Sequence, residues 1–596
     1  MELRTVSRSH GNSEGIFPTP NNEDFQIHYQ ELNATQNEIR LIRLHPDLDP
    51  NGLIQCDLIH GVELATPGHD ATPELTTDSG CLGSITTSGT PEKTHADLHH
   101  VDIESVDQTH REVHSADETG SPPAASDCQD KCRKRYAAIS YCAGNPAHTR
   151  TILVNGVPFH VFANLAHALD ITRDFWAKRP SSSFPGENKK ECLLWADQIC
   201  INQSNLRERS HQVGFMRRIY ASAEQTLICL STACGSGGAE EEINTRGVEW
   251  LCQLHRVVDP QGDFYMYYFR LEHYLRTRVR SDRMFADDWL AFYDIFQSPW
   301  WTRTWVYQEF ISSNKIFFLF GRASVPWPGV SEVLPTLRKY DCSHYGYNDL
   351  AVRESQARAT VDKVNFFVLS KMKFDRLGPY DLMDLLSQSR HLQSTDSRDR
   401  IYAFLGLVRQ DYGIVPDYSP GNTITKLLVD VAVKIVSHDR RLDVLSYACA
   451  ARGPLSQELP SWVPDWTCRE CRTISPSPSG KMDKGDLASP RIHHTDIGPA
   501  LEVQGFCIGT VRDSRKSPGL SFCGIVLHCQ SWVSYLHGPV EEDDEMWMLV
   551  GARDPLVLRK TGNANSNGVY KLIGEMGWRG RQMNIMGAGS QPLLLI

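Results

Sequence analysis

Residues 194–223 read LWADQICINQSNLRERSHQVGFMRRIYASA. The stretch begins inside a short apolar run, residues 192–200, that is interrupted by one acid, Asp197. This pattern indicates a buried parallel strand with Asp197 near its C-terminal end. A loop follows, and then Asn205 and Glu208 stand at capping-box spacing, which predicts the start of a helix. The apolar residues of that helix share one face; they are Val213, Met216, Ile219 or Tyr220, and Ala223.

The neighbouring segments continue the alternation of strands and helices. Residues 151–162, TILVNGVPFHVF, predict a hairpin whose turn, Asn155-Gly156, tolerates the positive φ angles of a tight turn. The next residues, ANLAHALDITRDFW, have helical spacing, and TLICL at 226–230 predicts another strand. Such an alternation predicts an α/β fold with a doubly wound sheet. Ligands of these sheets gather at the carboxyl ends of the strands, which is where Asp197 is expected.

Composition divides the chain into five predicted regions. Residues 1–65 are a leader with a short strand pair, and residues 66–130 are a disordered, low-complexity insert because few of them are apolar enough to bury. Residues 131–321 form the α/β domain. Residues 322–450 are predicted to be mainly helical. Residues 451–596 are predicted to form a mixed α+β region.

The overall composition narrows the class of protein. With 596 residues, of which 41% are hydrophobic and 22% charged, the chain can bury a core over most of its length. The net charge of -11 provides no attraction to phosphate backbones, so we predict no nucleic-acid partner. No run of about 18 apolar residues and no secretory signal is present, which predicts a cytoplasmic protein without a membrane span. The 17 cysteines are predicted to be reduced thiols.

Two groups of residues raise the question of a metal site. Cys468 and Cys471 form a CxxC with His493 and His494 downstream, but no second pair follows at zinc-ribbon spacing. The insert carries a group of histidines with nothing to fix their geometry; they are His95, His99, His100, His110 and His114. We therefore predict no metal site and no bound cofactor.

Four separated segments resemble, in order, motifs of the fungal heterokaryon-incompatibility (HET) domain family. A single match of this length could be accidental, but four in the right order are much harder to explain in that way. The opening segment departs from the family at Cys142-Ala143, where a Trp is usual. The segments are YAAISYCAG (136–144), residues 194–223 quoted above, WWTRTWVYQEF (300–310), and DSRDRIYAFLGL (396–407) together with SWVPDW (461–466).

The resemblance implies a fold related to the Toll/interleukin-1 receptor (TIR) domain, which is flavodoxin-like. Some TIR domains cleave NAD with one glutamate four residues after a Trp, and Trp305 and Glu309 have this spacing. Nicotinamide leaves as a neutral group, so one carboxylate facing the oxocarbenium-like ribose would be sufficient. By this analogy Glu309 is the catalytic residue and NAD a substrate. The substrate-binding residues would be Asp197, Asn202, Arg209, Arg303, Trp305, Ser140 and Tyr141.

Each of these residues also has a purely structural interpretation. Glu309 could be an exposed or salt-bridged helix residue, Asp197 the cap of the following turn, and Asn202 a loop residue that satisfies the backbone. Glu208 is interpreted as a capping-box residue rather than a catalyst. The tryptophans of WWTRTWVYQEF are interpreted as core or interface aromatics rather than as surfaces on which a base stacks.

The resemblance implies a role in fungal non-self recognition. The chain would be an intracellular signalling or effector module that triggers programmed cell death, works by self-association and meets protein partners in allorecognition. Two alternatives stay open. The same domain could hydrolyse NAD and kill by depleting it, or it could be a non-catalytic adaptor whose output is a binding event. The departure at Cys142-Ala143 favours the adaptor slightly, because a degraded site could keep its fold.

Overall fold

The fold is taken from a computed structural model of the 596-residue chain. Contacts group Met1–Leu64 with Arg135–Ile596 in one unit and leave Ala65–Lys134 as another. All contacts below belong to the first unit; the predicted insert and its histidines lie outside the described residues. The structure describes residues 27–64, 134–178, 191–233, 245–257, 270, 273–275, 277–278, 285–337, 351–450, 452–469, 490–496, 498–517, 520–527, 530–537, 539–561, 568–576 and 590–596.

A nine-stranded sheet organises the first half of the chain. Its strands are β1 (Glu38–Leu44), β2 (Gln55–Glu63), β3 (Ala137–Ser140), β4 (Thr149–Val154), β5 (Val157–Phe162), β6 (Cys192–Trp195), β7 (Gln225–Cys229), β8 (Ile316–Phe320) and β9 (Ala323–Pro326). The order across the sheet is β5-β4-β2-β1-β6-β3-β7-β8-β9. The neighbours β6, β3, β7 and β8 run parallel, and the flanking pairs are mixed. The predicted α/β class is confirmed.

The central parallel strands are apolar along their whole length. Every residue of β3, β6 and β7 is buried, which is the pattern of strands covered on both faces. β6 ends at Trp195, and Asp197 begins a single helical turn two residues later. Asp197 therefore lies at the carboxyl end of a buried strand, as predicted.

The predicted hairpin is β4 and β5, which pair antiparallel from Thr149 with Phe162 to Val154 with Val157. Its two turn residues have φ angles of 54° at Asn155 and 76° at Gly156. Positive φ at both positions defines the tight turn whose twist matches the two strands.

The two N-terminal strands belong to the same sheet as the quoted motif. β1 and β2 pair antiparallel, as predicted, and β1 also lies antiparallel to β6, with Ile42 opposite Leu194. On the other side β2 runs parallel to β4. The first strands of the chain thus separate β6 from the hairpin. The five domain boundaries themselves stay predictions.

Helices connect these strands. The segment predicted as one helix after Asn205 is two helices, because Phe215 leaves the helical conformation with φ −124° and ψ 20°. Backbone hydrogen bonding restarts there, since the amides of Arg218 and Ile219 donate to the Phe215 carbonyl. The helices are α1 (Ala163–Ala177), α2 (Asp197–Cys200), α3 (Leu206–Gly214), α4 (Met216–Ser222), α5 (Arg246–Val257), α6 (Phe285–Phe296) and α7 (Thr304–Ser312).

The described residues that follow are mainly helical. The motif DSRDRIYAFLGL forms α11, which buries every residue from Asp399 to Phe404 and packs against α3 and α7. None of the helices in the described part of the chain is long and apolar enough to cross a membrane. The helices of this region are α8 (Trp327–Leu337), α9 (Ala351–Leu377), α10 (Leu382–Gln388), α11 (Asp399–Leu405), α12 (Ile424–Asp439) and α13 (Asp443–Ala450).

The C-terminal region is a second, eight-stranded sheet. Its strands are β10 (Arg491–Thr495), β11 (Gly498–Ser517), β12 (Leu520–Leu527), β13 (Gln530–His537), β14 (Glu545–Leu549), β15 (Leu556–Lys560), β16 (Val569–Met576) and β17 (Gln591–Leu595). Among the described strand pairs of this second sheet, only β16 with β17 is parallel. Before the strands comes one 3-10 turn, Pro454–Gln457. The described residues of this region form strands and this turn, and its α+β character stays a prediction.

Candidate functional site

The last residue of β3 contacts an acid of α7 beneath the sheet edge. Ser140 Oγ donates a 2.5 Å hydrogen bond to Glu309 Oε2, and Trp300 Nε1 donates to the same serine oxygen at 2.7 Å. The hydroxyl of Tyr220 donates to the Ile139 carbonyl at 3.1 Å and also lies within hydrogen-bonding reach of Glu309. Ser140 and Glu309 are both buried. Of the structural interpretation of Glu309 as an exposed or salt-bridged helix residue, the exposed alternative is therefore wrong.

The environment of Glu309 changes its acidity. The pKa of its carboxyl is raised from 4.5 to about 7, mainly by burial and in addition by the Asp197 carboxylate. The hydrogen bond from Ser140 and the charge of Arg303 act in the opposite direction. A carboxyl that titrates near neutral pH can exchange a proton under cellular conditions, which is the property required of a general acid or base.

Asp197 joins the strand edge to the loop that follows it. Its Oδ1 accepts hydrogen bonds from Tyr141 Oη at 2.9 Å and from the backbone amide of Gln198 at 2.7 Å. Its backbone carbonyl accepts from Gln203 Nε2 at 2.9 Å. Burial, and next the Asp197 carboxylate, raise the pKa of the Tyr141 hydroxyl, so that this group stays protonated and donates. Asp197 thus satisfies a backbone amide, as its structural interpretation predicts, and also faces a cavity.

That cavity has a volume of about 80 Å³. Small-molecule pockets usually have about 300 Å³ or more, so the cavity as it stands is too small for a dinucleotide. Arg303 is fixed in its wall, because its Nη1 donates to the Tyr141 carbonyl at 2.7 Å. Five of the eight predicted site residues line this one cavity: Tyr141, Asp197, Arg209, Arg303 and Trp305.

The other three predicted residues lie elsewhere. Ser140 and Glu309 are buried behind the cavity and are not part of its lining. Asn202 also lies outside the lining, because its side-chain oxygen accepts from the amide and hydroxyl of Ser204, at 3.2 and 2.7 Å, and closes the turn. Its neighbour Gln203 lines the cavity instead. The functional roles of all eight residues stay predictions.

The capping-box prediction is half wrong. Asn205 does cap α3, accepting from the amides of Arg207 and Glu208, both at 3.1 Å. Glu208, however, turns away to Arg40 of β1 and accepts from its Nη1 at 2.5 Å and its Nη2 at 3.0 Å. Glu208 Oε1 also accepts from the amide of Asn202 at 2.7 Å. The acid therefore joins the first strand to the loop beside the cavity.

Arg40 is a residue that the sequence analysis missed. Its side chain is fully buried, and Nη1 also donates to the Cys200 carbonyl at 3.1 Å. Its guanidinium lies 4.8 Å from the ring centroid of Tyr29. The strand EIRLIRL itself indicates that such an arginine needs an acidic partner. If the strand is buried, an unpaired charge on it would be strongly unfavourable.

Tyr418 and Asp399 are two further residues that the analysis missed. Tyr418 lies in the coil between α11 and α12, lines the cavity, and donates from Oη to Asp399 Oδ1 at 2.7 Å. Burial raises the pKa of Asp399 to about 6, while hydrogen bonds from Tyr418 and from the indole of Trp305 lower it. Pro416 and Gly421 mark the tyrosine's surroundings as a loop, so no sequence signal joined it to the α/β domain.

The departure at Cys142-Ala143 falls on the cavity wall. Ala143 lines the cavity, and the Cys142 carbonyl accepts from Asn164 Nδ2 at 2.8 Å. Gly144 follows with φ +79°, and a Cβ on it would come within 2.6 Å of Asn164 Nδ2. Only glycine fits this position without strain. The loop after β3 therefore packs tightly against Asn164, although it lacks the Trp that is usual in the family.

Within the described part of the chain, no three or more His, Cys, Asp or Glu residues are placed to hold a metal ion. Cys468 is buried there, whereas Cys471 lies outside the described residues. His493 is placed in β10 and contacts Glu502 through Nε2 at 2.6 Å. Free thiols in the described part of the chain include those of Cys56, Cys142, Cys200, Cys229, Cys252 and Cys507.

Residues 136–309, which run from the residue before β3 to Glu309, match the family model described as Heterokaryon incompatibility protein (HET). A relative from Neurospora crassa, named Heterokaryon incompatibility protein 6, OR allele, is 26% identical over 426 residues. That alignment covers 63% of this chain and 60% of the relative. No solved structure matches. The strand edge, the cavity wall except Tyr418, and Glu309 all lie within residues 136–309, the part of the chain that is similar to the HET domain family.

Proposed function

We propose that this chain acts in fungal heterokaryon incompatibility, where its HET domain triggers programmed cell death after an encounter with non-self. The family match and the name of the Neurospora crassa relative support this role. One structural observation carries it: the matched residues build a cavity whose wall holds Asp197, Arg209 and Arg303. Convergent charged groups around a cavity favour a binding or switching role. The effector would act in the cytoplasm, through self-association and protein partners.

The strand order supports the TIR-like, flavodoxin-like interpretation of the domain. Numbered along the chain, the parallel strands β3, β6, β7 and β8 are first to fourth, and they stand in the order 2-1-3-4. This is the order of the flavodoxin-like sheet, in which ligands bind where the order reverses, here between β3 and β7. Ser140 ends β3 at this point and contacts Glu309.

The test of the effector role is inducible expression of the full chain in a panel of fungal strains, with viability counted at matched levels of folded protein. We expect viability to fall in at least one genetic background. Survival in every background, with folded protein present, contradicts the proposal.

NAD hydrolysis is a second candidate, favoured by the position of Glu309 at the switch point. In this reaction water adds to the anomeric carbon of the ribose, the glycosidic C–N bond breaks, and its electron pair leaves with neutral nicotinamide. The ionised form of Glu309 would stabilise the ribose cation. Asp197 would contact the ribose, and Arg303 or Arg209 the phosphates. The cavity would have to open, because about 80 Å³ does not admit NAD.

Purified protein, clustered through a fused oligomerisation tag, tests this activity. If the chain is a hydrolase, NAD is consumed, and Glu309→Gln abolishes consumption without lowering the melting temperature. Unchanged NAD after clustering removes the enzyme interpretation.

The adaptor alternative makes the opposite forecast for Glu309→Gln, which should leave killing intact. Its output would depend instead on exposed apolar surface. Met216 is a poor probe of that surface, since it is buried and lines the cavity. Leu369 and Met372 on α9 are 49% and 46% exposed. If the chain is an adaptor, the double variant Leu369→Asp and Met372→Asp should no longer kill cells, although its melting temperature is unchanged. If Glu309→Gln alone restores viability, the adaptor interpretation is ruled out.

A further inference from the structure

One side chain in the cavity wall comes from outside the HET match. Of the described residues that line the cavity, Tyr418 alone lies beyond residue 309. It is 5% exposed although it lies in a coil, between the end of α11 and the start of α12. The chain has therefore passed through α8 to α11 before it returns to this cavity and fills part of it with an aromatic ring.

The ring of Tyr418 lies near two cations from different parts of the chain. The guanidinium carbon of Arg209, on α3 of the HET domain, is 4.2 Å from the ring centroid. That of Arg398, in the turn before α11, is 5.3 Å from it. Both distances are within the range of cation–π attraction. The hydroxyl is fixed as well, since it donates to Asp399 at 2.7 Å.

The segment that carries Tyr418 is braced mainly by its own region. Arg398 is held by Asp396, with contacts of 3.0 and 2.8 Å, and its Nη1 donates to the carbonyls of Ser419 at 3.0 Å and Asn422 at 3.1 Å. Asn422 Nδ2 in turn donates to the Asp417 carbonyl at 3.0 Å. These bonds keep residues 417–422 together as one loop, whether or not Tyr418 remains in the cavity.

The same segment faces the HET domain with an apolar residue, Pro416. The Cδ of Pro416 lies 3.9 Å from the position of a Cβ on Gly214, at the end of α3. Val415, directly before it, is 75% exposed.

We propose that residues 411–423 are a removable cover over the HET cavity and that Tyr418 is the side chain that blocks it. When this segment leaves, the cavity becomes larger and more accessible, so the chain restrains its own HET domain. The inhibitory part of this inference rests on the proposed function, whereas the closure itself does not.

Closure is tested by hydrogen exchange, read by mass spectrometry on the full chain. In Tyr418→Ala we expect backbone amides of residues 197–203 to exchange about tenfold faster or more, because local opening governs their protection. Val415→Ala is the matched control in the same segment and should exchange like the wild type. Equal exchange in Tyr418→Ala and wild type, or acceleration throughout the chain, overturns the proposal.

A second variant covers the case in which Tyr418→Ala fails to fold. Gly214→Cys with Pro416→Cys places two thiols where the segment meets α3, so that oxidation ties the cover to the domain. The oxidised form should exchange more slowly at residues 197–203 than the same protein after reduction. Identical exchange in the two forms contradicts the cover.

The viability assay then separates the two proposals. If the cover restrains signalling, Tyr418→Ala kills severalfold more cells than wild type at equal protein level, and Val415→Ala does not. If no chain kills, but Tyr418→Ala still opens the cavity, the proposed function fails and the cover stands. If wild type kills and Tyr418→Ala kills no more, the cover does not restrain the domain, and that part of the inference is overturned.

Discussion

The carboxyl group of Glu309 lies behind the cavity wall, where Ser140 and Trp300 form a short chain of hydrogen bonds to it. Burial has the largest effect on the pKa of Glu309, and the hydrogen bond from Ser140 and the charge of Arg303 offset it only in part. The same argument applies to Asp399, whose hydrogen bond from Tyr418 does not compensate for burial. In both acids, burial disfavours the ionised form and so raises the pKa of the carboxyl.

This burial predicts a pH-dependent stability. The pKa of Glu309 is about 7 in the folded chain and near 4.5 when exposed. The folded state therefore binds more protons between these values, and the free energy of unfolding falls as pH rises through that window. The loss is on the order of 1 kcal/mol per pKa unit. Melting at pH 5, 6.5 and 8 should show a smaller decrease for Glu309→Gln than for wild type; equal decreases would mean that Glu309 is ionised throughout.

The pair of Arg40 and Glu208 predicts a strong coupling energy. Arg40→Met leaves Glu208 buried without its cation, and we expect a loss of about 3–5 kcal/mol in the free energy of unfolding. Arg40→Met with Glu208→Met removes both charges and should lose less than Arg40→Met alone. Urea unfolding of the two single variants and the double variant completes the cycle. Additive losses would show that the two groups do not interact.

Local patterns predicted several elements well. The hairpin turn at Asn155-Gly156 and the buried strand β6 follow from turn residues and an apolar run. The predicted strand over residues 192–200 was too long, because Asp197–Cys200 form a helical turn. The placement of β1 between β2 and β6 does not follow from local patterns, because strand pairing across a long loop leaves no local signature. The capping-box error at Glu208 has the same origin, since its partner comes from β1.

The candidate site was predicted in part. Five lining residues come from motifs whose strand ends and helix starts meet at one edge of the sheet, so topology brings them together. Tyr418 was missed because nothing in its own segment indicates which surface it meets. For Arg40 the strand EIRLIRL indicates a buried charge, but not which acid pairs with it. The depth of Glu309 was missed for a different reason: helical spacing shows which residues share a face, but not how completely another helix covers them.

The loop after β3 predicts a clash that can be measured. Gly144→Ala adds a methyl group within 2.6 Å of Asn164 and also strains a φ of +79°. Gly52→Ala is the matched control, because its φ is +80° and nothing lies within 4 Å of the added Cβ. The control isolates the backbone strain, on the order of 1–2 kcal/mol. Thermal melts should show a larger loss for Gly144→Ala; equal losses would mean that Asn164 moves aside freely.

Across the whole molecule, the N-terminal strands are part of the HET sheet, although residues 1–65 look like a leader in the sequence. Removing them takes away the neighbour of β6 and also Arg40, the partner of Glu208. The segment between Ala65 and Lys134 separates from the rest in the contacts of the chain. The two parts of the N-terminal region should therefore tolerate deletion very differently.

A chain that begins at residue 65 should lose cooperative unfolding and accumulate in the insoluble fraction, because β6 then has an unpaired edge. Replacing residues 66–130 by a flexible Gly-Ser linker should leave the melting temperature within a few degrees of wild type. Solubility and calorimetry on both variants check this. Normal melting of the shorter chain would show that β1 and β2 are dispensable.

The pairing of β1 with β6 also has a consequence for protein synthesis. Leu44 lies opposite Cys192, so the ribosome must add about 150 residues after β1 before its partner emerges. During that interval the edge of β1 that will pair with β6 is unpaired and can bind a strand of another polypeptide. Newly made protein is therefore exposed to aggregation early in translation, and chaperones that bind the nascent N-terminus should decide how much of it reaches the folded state.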